Sequence, residues 1–191
     1  ASDNSSNDVK KTISDHTFYG TEKDVSDTRS MSLTTALDGP YGYTYNLDIY
    51  QHSVLFAAGS GITFCLPQVT DLVRRAALSK TKCLTKSVRL LWCIRTYDII
   101  HWVRSELLEL AFLAEKVPFD VVVEVYVTRE HSEHVDPDLG NLMKVYFGQR
   151  PDIKSVIGME AQHAMKCESQ SLSVSLCGPG SFSCEVARTV S

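Results

Sequence analysis

Residues 53–63 read SVLFAAGSGIT, an unbroken apolar run that ends at two closely spaced glycines. The run from Ser53 to Ala58 predicts a strand that is buried on both faces, because no polar residue alternates with the apolar ones. Five apolar residues beyond the glycines share one side of a predicted helix: Ile62, Leu66, Val69, Val73 and Ala76. A buried strand, a glycine turn and an amphipathic helix together favour an α/β sheet with crossover helices.

The same alternation of apolar runs and helical stretches continues along the chain. Four further strands are predicted, from Val88 to Ile94, Asp120 to Val127, Lys144 to Phe147 and Leu172 to Leu176. A second helix carries its apolar stripe at Ile99, Val103, Leu107, Leu110 and Ala114. Thr96 or Asp98 is available to cap it, and a last helix covers about Ser183 to Val190. The predicted fold is therefore α/β, a doubly wound and mainly parallel five-stranded sheet that binds ligands at the carboxyl ends of its strands.

The composition of the 191-residue chain is that of an ordinary globular protein. Hydrophobic residues make up 43% and charged residues 22%, which excludes the disordered and collagen-like classes. The net charge of -4 gives no positive field that would attract polyanions, so no nucleic-acid partner is expected. No apolar run approaches the roughly 20 residues that cross a bilayer, and we expect this fragment to be soluble.

The six cysteines are scattered and form no close Cys-x-x-Cys pair, which fits a reducing cytosol. They are Cys65, Cys83, Cys93, Cys167, Cys177 and Cys184. A zinc site made from cysteines with His131 and His134 is an alternative, but the spacings match no familiar zinc finger. We therefore expect no metal and interpret the cysteines as small buried thiols.

The first part of the chain differs in composition from the rest. Ala1 to about Met31 is rich in Ser, Asp, Asn, Thr and Lys, and it cannot bury enough apolar surface to offset the entropy of ordering. We expect a mobile tail or a loop insertion over residues 1–35. Leu33 to Leu37 is strand-like, Asp38 to Gly42 is a turn, and the main domain is expected over residues 53–191.

Gly59, Ser60 and Gly61 join the first predicted strand to the first predicted helix. The free N–H groups and the dipole of a helix start suit a phosphate group, so the turn is a candidate cradle for pyrophosphate. It is only Gly-x-Gly, because Phe64 stands where a dinucleotide fingerprint has a third small residue. The alternative is a tight structural turn, which would use the same glycines.

Arg95 ends the second strand, where a nucleotide-binding sheet presents a side chain to the adenosine ribose. An acid at this position suits NAD, whereas an arginine can bind a phosphate group with a planar fork of donors. The implied cofactor is NADPH. The alternative is that Arg95 forms a surface ion pair with an acid such as Asp98.

Cys177 ends the last strand and is followed by Gly178, Pro179 and Gly180, which delay the next helix. This places a thiol at the carboxyl edge of the sheet, where the reacting ring of a cofactor would lie. A buried, packed thiol is the alternative. The sequence contains neither a Gly-x-Ser-x-Gly elbow nor a His-Glu-x-x-His helix, so the usual nucleophilic and metal-dependent chemistries lack support.

Five segments resemble, in order, the NADPH-binding lobe of the ferredoxin–NADP reductase superfamily, a Rossmann-like domain. They are Asp38 to Gly42, Ala58 to Thr63, Trp92 to Arg95 with Trp102, Phe147 to Pro151, and Cys177 to Pro179. Their order and spacing are similar to those of the membrane branch that holds ferric reductases and NADPH oxidases, from Thr35 to the end of the chain. Thr63 to Pro67, followed by Asp71 to Arg75, resembles fungal ferric-chelate reductases, whereas the oxidases usually place proline directly after the threonine.

The resemblance implies a role for each residue of a candidate cofactor site. Thr63 and Cys177 would act at the reacting ring, and Arg95 would bind the ribose phosphate. The cofactor-binding residues would be Gly59, Ser60, Gly61, Ile62, Thr63, Arg95, Arg150, Cys177, Gly178 and Pro179. Arg150 matches the Gly-Arg-Pro of the family only loosely, because Gln149 is inserted before it.

The resemblance also implies an enzyme larger than this chain. NADPH would pass a hydride to FAD, and electrons would then cross a membrane through haem to extracellular ferric or cupric chelates. Residues 1–35 would be an insertion in the flavin domain, and residues 36–52 would be the end of the flavin barrel with a linker.

The implied partners are the protein's own flavin-binding domain and haem transmembrane domain, at the cytosolic face of the plasma membrane. Without them the fragment would have no reductase activity. Two alternatives are an NADPH oxidase that makes superoxide and a non-catalytic module that senses NADPH.

Overall fold

A computed structural model describes residues 46–78, 83–131, 135–166 and 171–190. Within these residues five strands form one sheet: β1 His52–Ala58, β2 Ser87–Ile94, β3 Asp120–Val127, β4 Met143–Phe147 and β5 Leu172–Cys177. Every pair of neighbouring strands is parallel. The predicted α/β fold with a five-stranded sheet is confirmed, and each strand boundary lies within one residue of its prediction.

Four α-helices connect or follow these strands in the described residues: α1 Ile62–Leu78, α2 Arg104–Ala114, α3 Ile153–Lys166 and α4 Gly180–Val190. Short 3-10 turns lie at Leu47–Ile49, Gly59–Gly61, Tyr97–Val103 and Pro137–Leu139. The predicted apolar stripe of α1 is buried from Ile62 to Val73, as expected. Helix α3 was not among the helices predicted from the sequence.

The sheet is buried on both faces, as its continuous apolar runs predicted. On one face, Leu55 and Ala57 of β1 pack into a core with the apolar sides of α1 and α2. On the other face, Val54 and Phe56 pack with residues of α3 and α4. Successive side chains of a strand point to opposite faces, so one short strand supplies both cores.

The strand order is β4-β3-β2-β1-β5, which puts a reversal of direction beside β1. The chain moves outward from β1 to β4 and then returns to pair β5 with the other side of β1. Connections that leave in opposite directions open a crevice at the carboxyl ends of the two strands at the switch point. A ligand site is therefore expected where β1 and β5 end, at Ala58 and Cys177.

The start of the second helix differs from the prediction. Thr96 occupies the N-cap position of the 3-10 turn without a side-chain hydrogen bond, and α2 itself begins only at Arg104. The backbone N–H of Tyr97 donates instead to Glu130 Oε2 at 2.8 Å. Glu130, in the loop after β3, therefore binds one free N–H at the start of the turn, and the predicted side-chain cap by Thr96 is not formed.

Several predictions fall outside the described residues. They are the polar segment 1–35, the strand-like residues 33–37, the turn 38–42, His134 of the alternative zinc site, and Cys167 of the predicted buried thiols. The domain boundaries stay predictions. In the part of the chain that the structure describes, no helix is both long and apolar enough to cross a bilayer.

Candidate nucleotide-binding cleft

An open cleft of about 1010 Å³ lies at the carboxyl edge of the sheet. Its volume is at the upper end of the range of pockets that hold small molecules and cofactors. Nine of the ten predicted cofactor-binding residues line it: Gly59, Ser60, Gly61, Thr63, Arg95, Arg150, Cys177, Gly178 and Pro179. The structure thus brings together side chains and turns that are far apart in the sequence.

The backbone geometry requires a glycine at both position 59 and position 61. Gly59 has φ 55, in the left-handed region that a side chain disfavours. A Cβ at Gly61 would collide with the backbone carbonyl of Cys177, so the start of α1 lies directly against the end of β5. Gly61 provides the close helix–strand packing that the third glycine of a dinucleotide fingerprint provides, whereas Phe64 is 45% exposed.

Two hydrogen bonds hold the turn in place. The fully buried Trp92 of β2 donates its Nε1–H to the carbonyl of Gly59 at 2.9 Å. Thr63 Oγ1 donates to the carbonyl of Ser60 at 2.9 Å, which fixes the threonine rotamer at the edge of the cleft. The turn is therefore held by a residue of the neighbouring strand as well as by its own helix.

Ile62 is the predicted cofactor-binding residue that does not line the cleft. Its side chain is buried in the core beneath α1, with 2% exposed. Its backbone N–H donates to the carbonyls of Gly59 and Ser60, so it is not free for a phosphate. No contact of Ile62 supports the role that the resemblance implied for it.

Arg95 is exposed at the end of β2 and lines the cleft. Among the described residues no carboxylate pairs with its guanidinium, and the alternative pair with Asp98 is absent there. The backbone N–H of Arg129, just after β3, donates to the carbonyl of Arg95 at 3.0 Å. The two arginines therefore lie side by side where their strands end. The position fits a phosphate-binding side chain.

Cys177 is half-buried and lines the cleft beside Gly178. In the sheet its Cα partner is Ala57, which is also paired with Trp92 on the other side. The side chain packs partly against the core beneath α1, so the packed-thiol alternative has a basis in the structure. Both the functional and the packing interpretations of Cys177 therefore stay open to experiment.

The loop after β5 also requires a glycine. A Cβ at Gly178 would lie 2.9 Å from the Cβ of Ala58 and 3.0 Å from Cδ1 of Phe182, which leaves no room for a side chain. Ser183 anchors the first turn of α4 to this loop. Its N–H donates to the carbonyl of Pro179 at 3.0 Å, and its Oγ donates to the carbonyl of Gly178 at 3.2 Å. The loop forms one rigid wall of the cleft.

Two further cysteines lie close to the cleft as neutral thiols. Burial raises the pKa of Cys93 to about 12, although the charge of Arg150 opposes the shift. Burial likewise raises the pKa of Cys65 to about 12, and its Sγ donates to the carbonyl of Phe56 at 3.6 Å. Both thiols are therefore uncharged at neutral pH, and neither would repel a phosphate group in the cleft.

Ten lining residues were not predicted as site residues: Ala58, Cys93, Ile94, Ile99, Thr128, Pro151, Ile153, Ser181, Phe182 and Glu185. Those at strand ends could have been found from the rule that ligands bind at the carboxyl ends of strands. Ser181 and Phe182 could not, because the last helix was predicted to begin at Ser183 and it begins at Gly180.

The fold and the cleft define a Rossmann-like nucleotide-binding domain. The model of the family described as "Ferric reductase NAD binding domain" matches residues 50–145, which is about half of the chain, and the chain belongs to this family. The matched range includes the glycine turn and Arg95, and it ends before Arg150 and Cys177. The predicted resemblance to ferric reductases is confirmed.

Two curated relatives are named as metal reductases. The chain is 36% identical over 75 residues to the probable cell surface ferric reductase kap2 of Aspergillus oryzae, which covers 39% of this chain and 10% of the relative. It is 26% identical over 152 residues to the ferric/cupric reductase transmembrane component 2 of Schizosaccharomyces pombe, which covers 74% of this chain and 26% of the relative. The chain thus spans at most about a quarter of these relatives, and the matches do not favour the NADPH oxidase alternative.

Proposed function

We propose that this chain is the NADPH-binding module of a membrane metal reductase. In the whole protein, hydride passes from NADPH to FAD, and electrons continue through haem to extracellular ferric or cupric chelates. The observation that carries the proposal is the meeting of the glycine turn, Arg95 and Cys177 in one cleft. The names of the two relatives, a ferric reductase and a ferric/cupric reductase, support the choice of acceptor.

The residues present fit the phosphate groups of NADPH. A Cβ at Gly59 would point into open space and Gly59 has none, so a pyrophosphate can approach the backbone closely there. Three charged side chains line the cleft: two positive, Arg95 and Arg150, and one negative, Glu185. The lining therefore has one excess positive charge. An arginine without a carboxylate partner keeps its full fork of donors for a ribose phosphate.

The chemistry at the ring requires position more than reactivity from the protein. NADPH supplies the hydride when it is bound, and this chain aligns the donor ring. The carbonyl of Cys177 lies against Gly61, so the cysteine side chain is held relative to the proposed pyrophosphate site. The Thr63 hydroxyl is held by Ser60, and it can accept a hydrogen bond from the cofactor without changing its rotamer.

In the whole protein we place this module at the cytosolic face of the plasma membrane, beside the protein's own flavin and haem domains. The names of the two relatives support this location, because one is called a cell surface protein and the other a transmembrane component. The chain on its own would then bind the nucleotide without reducing any chelate, because it supplies a donor site and no electron carrier.

Calorimetric titration of the 191-residue chain with NADPH tests the site. We expect Gly61→Ala to lower the affinity by about tenfold or more, because the new Cβ collides with the carbonyl of Cys177 and displaces the turn. Gly158→Ala is the matched control, since a Cβ there meets no atom within 4 Å. Thermal unfolding of both variants separates loss of the site from loss of the fold, and a folded wild type that binds no NADPH contradicts the proposal.

The final acceptor has to be tested in the intact parent protein. Ferrous product and superoxide are measured in parallel after NADPH is added to membranes that contain it. Ferrous product without superoxide is the expected result. Superoxide as the main product would identify an oxidase, and NADPH binding without any reduction of flavin would identify a sensing module.

A further inference from the structure

Three side chains that bind metals converge at the edge of the sheet opposite to the cleft. They are His52, Glu160 and His163, and one ligand atom of each lies within 4.8 Å of the other two. His52 begins β1, whereas Glu160 and His163 lie three residues apart on α3 and therefore share one face of the helix. Strand β1 separates this cluster from the cleft by roughly 20 Å, at about 3.3 Å a residue.

His52 is buried, with one ring nitrogen free to bind a ligand. Its side chain is fully buried, and its Nε2 has no hydrogen-bond partner in the described structure. Its Nδ1 lies 2.8 Å from Ser87 Oγ, so a proton on Nδ1 leaves the lone pair of Nε2 exposed to the cluster. The neutral imidazole is the form that binds metals.

Glu160 brings a buried negative charge to the cluster. It is 5% exposed, and its Oε1 accepts from Arg89 Nε at 2.8 Å. The same guanidinium donates to Glu124 Oε1 at 2.6 Å, and Tyr126 OH donates to Glu124 Oε2 at 3.0 Å. Two buried carboxylates therefore share one arginine, so a cation beside Glu160 would have an anionic oxygen ligand.

His163 gives access to the cluster. Its side chain is exposed, and its ring lies 5.2 Å from that of His52, in an edge-on arrangement with 66° between the planes. Ligand atoms around a tetrahedral zinc ion are about 3.4 Å apart, for metal–ligand bonds of roughly 2.0–2.2 Å. His163 is exposed on a helix, so a change of its rotamer can bring its imidazole closer to the two buried ligands.

We propose that His52, Glu160 and His163 form a binding site for a zinc-class divalent ion, with a water molecule as fourth ligand. Two imidazoles and one carboxylate suit zinc or its neighbours among the transition metals and do not suit Mg²⁺ or Ca²⁺, which prefer oxygen ligands. The ion would fasten α3 to the start of β1. Its distance from the cleft makes the role structural or regulatory, and it is independent of the proposed hydride transfer.

Equilibrium dialysis of the whole chain with Zn²⁺, after treatment with a chelator, tests the site. We expect one ion for each chain in the wild type, and a rise in the unfolding temperature of about 5 °C or more when zinc is 100-fold above its dissociation constant. His163→Ala should lose both effects. Since His163 is exposed, this variant should unfold at the wild-type temperature in the absence of zinc.

His101→Ala is the matched control, because His101 is an exposed histidine on a different element, the 3-10 turn before α2. It should keep both zinc binding and the thermal shift. Co²⁺ serves as an optical probe, since cysteine ligands produce thiolate charge-transfer absorption and a site of histidine and carboxylate does not. No binding, equal binding in wild type and His163→Ala, or a thiolate spectrum from the bound ion would each overturn the proposal.

Discussion

Arg95 has an exposed guanidinium at the end of β2, with no carboxylate partner among the described residues. A phosphate on the adenosine ribose would gain charged hydrogen bonds from it that are worth about 1.5–3 kcal/mol. Arg95→Ala should therefore lower the affinity for NADPH by roughly 10- to 150-fold and leave the affinity for NADH nearly unchanged. Titration of the wild type and of Arg95→Ala with NADPH and with NADH measures the two changes in affinity.

Arg74→Ala is the matched control for Arg95. Arg74 is also exposed, and its only ion pair in the described residues, with Glu109 at 2.6 Å, lies on the surface. Such a pair contributes little to stability, so the variant should bind NADPH as the wild type does. Equal affinities of the wild-type chain for NADPH and NADH would remove Arg95 from the proposed role.

Sequence reasoning predicted the meeting of Gly59, Arg95 and Cys177 because each lies at the end of a predicted parallel strand. The carboxyl ends of such strands share one edge of the sheet, whatever the details of packing. It did not predict the hydrogen bond from Trp92 to the Gly59 carbonyl or the back-bonded N–H of Ile62. These contacts depend on side-chain rotamers and on the local turn, which no pattern of residue types specifies.

Among the secondary-structure elements, the strands were predictable and helix α3 was not. The valine-rich run from Asp120 to Val127 forms β3 with the predicted boundaries. In α3 the inward positions hold Ile153, Val156 and Ile157, and then Glu160. A glutamate at an inward position breaks the apolar stripe, and its partner Arg89 on β2 is visible only in the folded structure.

The start of α3 carries a sequence signal that went unused. Asp152 Oδ1 accepts from the N–H of Ser155 at 3.0 Å, which is the contact of an N-cap residue. Asp152→Ala should lower the free energy of unfolding by about 1 kcal/mol, whereas Asp152→Asn keeps the acceptor and should lose only a fraction of that. Urea denaturation measures the difference, and equal stability of all three proteins would show that the cap contributes nothing.

For the whole molecule, the prediction of most consequence concerns Cys177 in an intact parent that holds FAD. The cysteine packs beside the proposed position of the nicotinamide, and hydride transfer depends steeply on distance and orientation. Cys177→Ala should lower the rate of flavin reduction by about tenfold or more, which corresponds to about 1.4 kcal/mol of barrier, with the affinity for NADPH nearly unchanged. Rapid-mixing measurement of flavin bleaching is the assay.

Cys184→Ala controls for loss of a thiol, since Cys184 is an exposed cysteine on α4. It should reduce flavin at the wild-type rate. If Cys177→Ala also does so, Cys177 is only a packed thiol. If the affinity for NADPH falls together with the rate, the cysteine holds the cleft together instead of aligning the ring.

The contact between Gly61 and the Cys177 carbonyl also has an evolutionary consequence. Any side chain at position 61 has to displace the backbone of residue 177, because the two chain segments touch without room for a Cβ. With the proposed function, mutations in the turn therefore change both the binding of the pyrophosphate and the position of the nicotinamide ring. Selection acting on such a protein could change its nucleotide specificity at position 95 alone. A change in the glycine turn that raised the reaction rate would need compensating changes at the end of β5.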